Sequence, residues 1–346
     1  MSTPHAEPDS RGQRVARAPR VVRWLRLSEE LLTESCEVLN SLNVFPVPDA
    51  DTGTNLLATV RVAAQAIAQD SGDDAGATLE KAATAALGSA RGNSGTLFAV
   101  ALAGMAVPLK GTPHLTMHTL VEALQRAESA ARNALSDPTE GTMLTVLRVA
   151  SQSAQGSWAQ AQREAAEDGQ PTERRVVLHG ALEDLVTAAH AAVAMTEHQL
   201  ESLHRAGVVD AGAVGLLWIF ESLRSVVTDS EPRRDLMDEL HGYTTGGAPA
   251  QSQPAQDGVE VMCTIELEPL GAATLRHELT QIGDSVIVAP TRRGDDPLAR
   301  VPWRVHVHVQ EQDHALALLQ AAGEPEEVTV TSLCAQEHPE GHDHQH

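Results

Sequence analysis

The sequence predicts an all-α domain of roughly eight or nine antiparallel helices followed by a small α+β sandwich of ferredoxin type. Three observations carry that expectation. Apolar residues recur at helical spacing almost without interruption from about residue 21 to 240. A Gly-, Pro- and Gln-rich stretch, GGAPAQSQPAQDG at 246–258, then breaks the pattern. Beyond it the apolar period changes to strict alternation, with helical runs between.

Residues 1–20 are polar and rich in Pro and Arg, which predicts a disordered arm. The helical domain is assigned to 21–245. Leu120, Val121, Leu124 and Ala127 form one apolar stripe, and Leu182, Leu185, Val186, Ala189 and Val193 form another. Pro46 and Pro48, Gly72, Gly111 with Pro113, Pro138, and Pro171 mark short connections. After the linker, Val259–Glu268 alternates, 271–281 reads as helix, and Asp284–Arg292 as strand. Trp303–Val309 alternates, 313–322 is helical, and Glu327–Leu333 alternates again. That order, β-α-β-β-α-β, predicts a split βαβ sandwich over 259–335. A polar, His-rich tail at 336–346 closes the chain and is expected to be disordered, with at most weak metal binding by His338, His342, His344 and His346.

The composition excludes several function classes. With Asp+Glu 47 against Lys+Arg 25 and a net charge of -22, the chain lacks the cationic surface that a nucleic-acid backbone requires. Arg11, Arg14, Arg17, Arg20, Arg23 and Arg26 are a local exception, read as a basic arm leading into a helix. An aromatic content of 2% argues against base-stacking platforms. No uninterrupted run of about 18 apolar residues is visible, so no membrane span is expected. No apolar signal core opens the chain, and Cys36, Cys263 and Cys334 are too widely spaced for a disulfide framework. A reducing cytoplasm is the expected compartment.

The sharpest local feature is LNVFPVPDADTGTN, Leu42 to Asn55. Pro46 and Pro48 extend the chain, so Asp49 and Asp51 can direct two carboxylates at one point. Hard oxygen ligands of this kind suit Mg²⁺, which takes one or two carboxylates together with nucleotide phosphates. The plainer reading is a capped helix start, because Asp and Thr are ordinary N-cap residues. Three further Gly-rich helix starts weigh against that reading: ARGNSG (Ala90–Gly95), EGTMLTV (Glu140–Val146) and VVDAGAVGL (Val208–Leu216). Free N–H groups at a helix start are a general device for holding phosphate. Neither a GxxxxGK[ST] loop nor a strand-linked GxGxxG is present, so P-loop, protein-kinase and Rossmann sites are excluded.

These four motifs, in this order, resemble the nucleotide-binding domain shared by the catalytic subunit of bacterial fatty acid kinase and the L subunit of dihydroxyacetone kinase. The PVPD before DTGTN resembles the fatty acid kinase branch, as do Met262-Cys263-Thr264, Ile282-Gly283-Asp284-Ser285 and Val305-His306-Val307-His308 in the second domain. The resemblance covers about residues 25–335. It implies an eight-helix barrel that binds ATP or ADP with Mg²⁺ at its mouth. Asp49 and Asp51 would ligate Mg²⁺, with Asn43 replacing a third aspartate by a neutral oxygen. Thr54, Asn55, Gly92, Asn93, Ser94 and Gly95 would contact the nucleotide, bounded by Gly141, Thr142, Met143, Asp210 and Gly212. Ala50 stands where the family usually has Gly. A positive φ there would cost about 1 kcal/mol or more, so a backbone compatible with Ala is expected.

The fatty acid kinase carries a third, C-terminal domain, and this chain reads as a short form without it. The implied activity is phosphoryl transfer to an acceptor presented by a partner protein, of fatty-acid-binding type by resemblance. The alternatives are a dihydroxyacetone kinase-like activity, or a nucleotide-binding adaptor without turnover. In the second domain, His306 and His308 share one strand face and can hold Zn²⁺, and the family pattern pairs them with Cys263. Strand alternation, however, puts Cys263 with Val261, Ile265 and Leu267, so either the first strand bulges or the cysteine belongs to the core. A second copy of the chain, in a homodimer through this domain, is one expected cover for the His-bearing face.

Overall fold

The computed structural model describes residues 19–70, 72, 74–169, 171–243, 258–291 and 299–333. Residues 1–18 of the arm expected at 1–20, nearly all of the 246–258 linker and the 336–346 tail lie outside the described residues, while Arg20, expected in that arm, opens the first helix.

Nine α-helices make up the first part among the described residues: α1 (Arg20–Ser41), α2 (Thr52–Ala66), α3 (Ala75–Ser89), α4 (Gly92–Ala106), α5 (Met117–Ala134), α6 (Met143–Asp168), α7 (Arg175–Gln199), the short α8 (Glu201–Ala206) and α9 (Ala211–Thr228). Each long helix packs on the next, and α9 returns to α1, so eight helices close a ring. The apolar stripes explain the closure. Val22, Leu25, Leu32 and Leu39 of α1 and Leu182, Leu185, Val186 and Val193 of α7 are completely buried. Helix α9 carries apolar or small residues on every side and is buried from Ala211 to Val227, contacting α1, α2, α6 and α7. Trp24 Nε1 donates to the Ile219 carbonyl at 2.9 Å, which ties α1 to α9.

Three helical segments, Gly92–Leu109, Arg175–Gln199 and Ala211–Thr228, are long and apolar enough to cross a bilayer by length and composition, contrary to the expectation above. Uninterrupted apolar runs miss them because small polar residues and charged ones such as Glu183, Asp184, Glu221 and Arg224 break the run while mean hydropathy stays at 1.3. Here the small residues serve close helix packing, and the Ala211–Thr228 window is 94% buried within the protein.

The second part contains β1 (Val259–Leu267), α10 (Pro269–Ile282), β2 (Gly283–Pro290), β3 (Val301–Val309), α11 (Gln312–Ala322) and β4 (Pro325–Ser332). Its sheet is antiparallel with strand order β2-β3-β1-β4, the ferredoxin-like arrangement expected from the element order. Val261, Cys263, Ile265, Leu267, Val305 and Val307 face α10 and α11 and form one core with Leu275, Leu279 and Leu319. The opposite face meets the helical domain: Ile287 and Ala289 join the core of the first part, and Ser136 N–H donates to the Val286 carbonyl at 3.1 Å. The His-bearing face is therefore covered by helices of the same chain.

A buried ion cluster closes α9. The Glu221 carboxylate is fully buried and accepts from Arg224 Nη2 at 2.6 Å, Arg233 Nη2 at 2.8 Å and the Arg233 backbone N–H at 2.7 Å. Burial pushes its pKa up, but these hydrogen bonds outweigh burial and hold it below the usual carboxylate range. Removing Glu221 leaves the buried Arg224 guanidinium with only the half-exposed Glu183 as its counter-charge. Glu221→Ala is expected to lower unfolding stability by about 3–5 kcal/mol, read from the urea midpoint. A loss well below that range would show that the cluster contributes little to the fold.

Candidate functional site

The Asp loop joins α1 to α2. Asp51 occupies the N-cap position of α2, yet its side chain caps no backbone N–H. The capped-helix reading of this aspartate therefore fails, and its carboxylate is free for another partner. Ala50 adopts φ 54°, in the left-handed region. The backbone between the two aspartates thus demands a positive φ after all, and Ala bears the strain that Gly would avoid. That kink lets Asp49 and Asp51 face one another across a single residue.

Burial, followed by the charge of Asp51, pushes the Asp49 pKa up to about 7. Two carboxylates held this closely disfavour joint ionisation, and a cation between them removes the conflict. Asn43, expected as a metal ligand through its oxygen, uses its amide nitrogen on the loop: Nδ2 donates to Asp49 Oδ1 at 2.5 Å. It orients the aspartate. Thr54, expected at the nucleotide, is engaged with α1. Its N–H donates to Asn40 Oδ1 and its hydroxyl accepts from Asn40 Nδ2, both at 3.0 Å.

The helix starts converge on this loop. Gly92 has φ 59°, and a Cβ there would sit 2.6 Å from Asn55 Nδ2. Glycine takes that turn without strain and leaves room for Asn55 where α4 approaches α2. A Cβ on Gly212 would stand 2.9 Å from Ser94 Oγ and 3.7 Å from the Met143 Cβ, which brings the starts of α4, α6 and α9 together. Asn55, Gly92, Ser94, Met143, Asp210 and Gly212 thus share one end of the barrel. Asn93 Oδ1 is buried there without a hydrogen-bond partner, an acceptor that a ligand or ion can satisfy.

Two of the expected contact residues serve as caps. Thr142 accepts from the Leu144 N–H at 3.3 Å at the start of α6. Asp210 accepts from the Ala213 N–H at 2.7 Å at the start of α9, so its carboxylate is already engaged in the fold. Burial raises its pKa to about 7 despite backbone hydrogen bonds from Ala213 and Met143. Gly141, at φ 83°, donates its N–H to Thr145 Oγ1 at 2.8 Å. Thr145 Oγ1 in turn donates to Glu140 at 2.5 Å, and with Arg132 and Arg148 it holds the Glu140 pKa down to about 2.

In the second part, the expected grouping of Cys263 with His306 and His308 is corrected. Cys263 is fully buried on the helix-covered face, and burial pushes its thiol up to about 12. Pairing of β1 with β3 runs regularly through Cys263 and Val305, while the β1–β4 pairing shifts between Met262 and Thr264. No bulge turns the thiol toward the histidines. Glu260 takes its place, paired in register with His308. Sequence reasoning missed this residue, although the alternation that excluded Cys263 also puts Glu260, Met262 and Thr264 on the histidine face. Burial pushes the Glu260 pKa up. The nearby His308 and the Gly92 backbone N–H lower it, and the Asp51 charge raises it. Glu260 therefore lies within reach of the Asp loop and of the α4 start.

Residues 46–225 match the DAK2 domain, and residues 258–339 match the FakA-like middle domain of fatty acid kinase. The chain is 28% identical over 313 residues to the protein YloV of Bacillus subtilis, covering 87% of this chain and 53% of that protein. It is 26% identical over 297 residues to an uncharacterised protein of Staphylococcus aureus strain USA300, covering 81% and 48% respectively. The chain spans about half the length of these relatives. Among solved structures, the dihydroxyacetone kinase of C. freundii in complex with AMP-PNP and Mg²⁺ aligns at a TM-score of 0.41 with 19% identity, covering 65% of this chain and 37% of that one. With the domain match extending over more than half its length, the chain belongs to the DAK2 domain family.

Proposed function

We propose that this chain is an ATP-dependent, Mg²⁺-assisted phosphotransferase whose acceptor is presented by a partner protein. The observation that carries the reading is the Asp49/Asp51 pair, strained into proximity at the meeting of helix starts and capping nothing. Asp49 and Asp51 hold the cation, with Asn43 orienting Asp49. Bound Mg²⁺ supplies charge neutralisation at the terminal phosphates. Backbone N–H groups at Gly92, Asn93 and Ser94 take the remaining phosphate charge, helped by the partial positive charge of the α4 N-terminus. No covalent intermediate on the protein is required, because the work is positioning and electrostatics. The acceptor is a fatty acid converted to an acyl phosphate and delivered by a fatty-acid-binding protein, a reading supported by the kind of middle domain that follows.

Asp51→Ala is expected to weaken Mg²⁺-dependent ATP binding by about tenfold or more in calorimetry while circular dichroism is unchanged. ATP consumption with a fatty-acid-loaded carrier should vanish in the same variant. Turnover retained by Asp51→Ala would refute the assignment. Nucleotide binding without turnover, with fatty acid carriers and with dihydroxyacetone alike, would mark the chain as an adaptor.

A second test addresses the α4 start. Gly92→Ala requires an L-residue in the left-handed region and pushes on Asn55, so nucleotide affinity should fall by about tenfold, the equivalent of 1–2 kcal/mol. Unchanged affinity would remove this turn from the binding site.

A further inference from the structure

A cleft of about 430 Å³ opens where the two parts of the chain meet. Its walls come from α3, α4 and α5 on one side and from α10, β2 and β3 on the other. Small side chains make the space. Ala83, Ala103 and Ala130 line it from the first part, and Ala272 and Trp303 from the second. Protein interiors are close-packed and leave few voids larger than a water, whereas this one has the size of a small-molecule site. The cleft is separate from the Asp loop. Val100 follows Gly92 by eight residues on α4, about 12 Å along the axis, and Ala103 lies further on.

The charged residues of the cleft are two cations, Lys110 and Arg276, and one acid, Glu80. Glu80 is taken by Lys110 at 2.8 Å. Arg276 Nη1 donates to the Asn133 main-chain carbonyl at 2.5 Å, a neutral partner. Among the described residues, no carboxylate pairs with Arg276. A guanidinium has five N–H donors, so most of this one remains available. In a chain of net charge -22, a cation left uncompensated beside apolar walls stands out.

We propose that this cleft binds a single-chain aliphatic carboxylate, its tail along the alanine walls and its head on Arg276. A neutral hydrocarbon satisfies the walls but leaves the guanidinium without a counter-charge. A small inorganic anion satisfies the guanidinium but leaves the walls wet. An amphiphile does both, and a planar carboxylate matches the guanidinium fork with two parallel hydrogen bonds. An apolar cavity of about 150 Å³ holds a benzene ring, so this cleft has room for a tail on the order of ten carbons. Because both parts of the chain supply wall residues, the occupant bridges them and stabilises their docking. The inference does not rest on the phosphotransferase reading, since the ligand binds with or without nucleotide.

The test titrates sodium decanoate into the full chain by calorimetry, below its micellar concentration, with decanol and decyl phosphate in parallel. One saturable site is expected for decanoate, about tenfold or more tighter than for decanol. Tryptophan emission should change over the same concentrations, and that change should be lost in Trp303→Phe. Arg276→Gln should weaken decanoate by about tenfold and leave decanol unchanged, the mark of a head-group contact. Ala103→Leu fills the cleft and should abolish binding of both probes while circular dichroism is unchanged. The two variants act on different halves of the ligand, so either one decides if the other fails to fold. Asp51→Ala should bind decanoate normally, which separates this site from the nucleotide site. Absence of a saturable decanoate site overturns the proposal, as does decanol bound as tightly as decanoate. Binding untouched by Ala103→Leu also overturns it, and decyl phosphate bound about tenfold tighter than decanoate overturns the carboxylate assignment.

Discussion

Mutual repulsion between Asp49 and Asp51 is the constraint around which this end of the molecule is organised. Two carboxylates separated by one residue do not readily share a partly buried loop without a counter-charge, and the Asp49 pKa, raised to about 7 by burial first and by the Asp51 charge second, registers that cost. Ala50 adds backbone strain by accepting a positive φ. Strain and repulsion at one loop are tolerable only where the surrounding structure holds them, and here Asn43, the first turn of α2 and the start of α4 do so. In a chain of net charge -22, the positive ends of helices are a scarce resource. Several of them are gathered around the Asp loop.

The glycine positions follow from that gathering. Gly92 and Gly212 sit where a Cβ would strike Asn55 or Ser94, so their small size sets how closely the helix starts can approach. The second part then closes over the same end. Its sheet presents Glu260, His306 and His308 on the face that packs against the helices, while its own core keeps Cys263 beneath α10 and α11. A buried polar face of this kind is costly in an ordinary domain contact, since imidazoles without partners lose hydration.

Much of the architecture was legible in the residues. The helical stripes of α5 and α7, the change to alternation after residue 258, and the β-α-β-β-α-β order all rest on periodicity, which burial imposes directly on sequence. Site details were less legible for a common reason. Whether an Asp at a helix start caps that helix depends on where its side chain turns, and the sequence does not record this. Asp51 caps nothing, whereas Asp210 caps α9.

What the sequence determined by itself was the class of each part, the faces of each strand and the identity of the acidic loop, because these are local consequences of period, proline placement and side-chain chemistry. Strand alternation already separates Cys263 from the face of Glu260 and the histidines, but tertiary structure alone decided that Glu260 lies in register beside His308 and that helices from the same chain cover that face. It also decided that Thr54 and Asn43 support the loop through Asn40 and Asp49. Those outcomes are set by strand register and by the docking of one domain on another. Both depend on contacts between residues far apart in the chain, which no local pattern encodes.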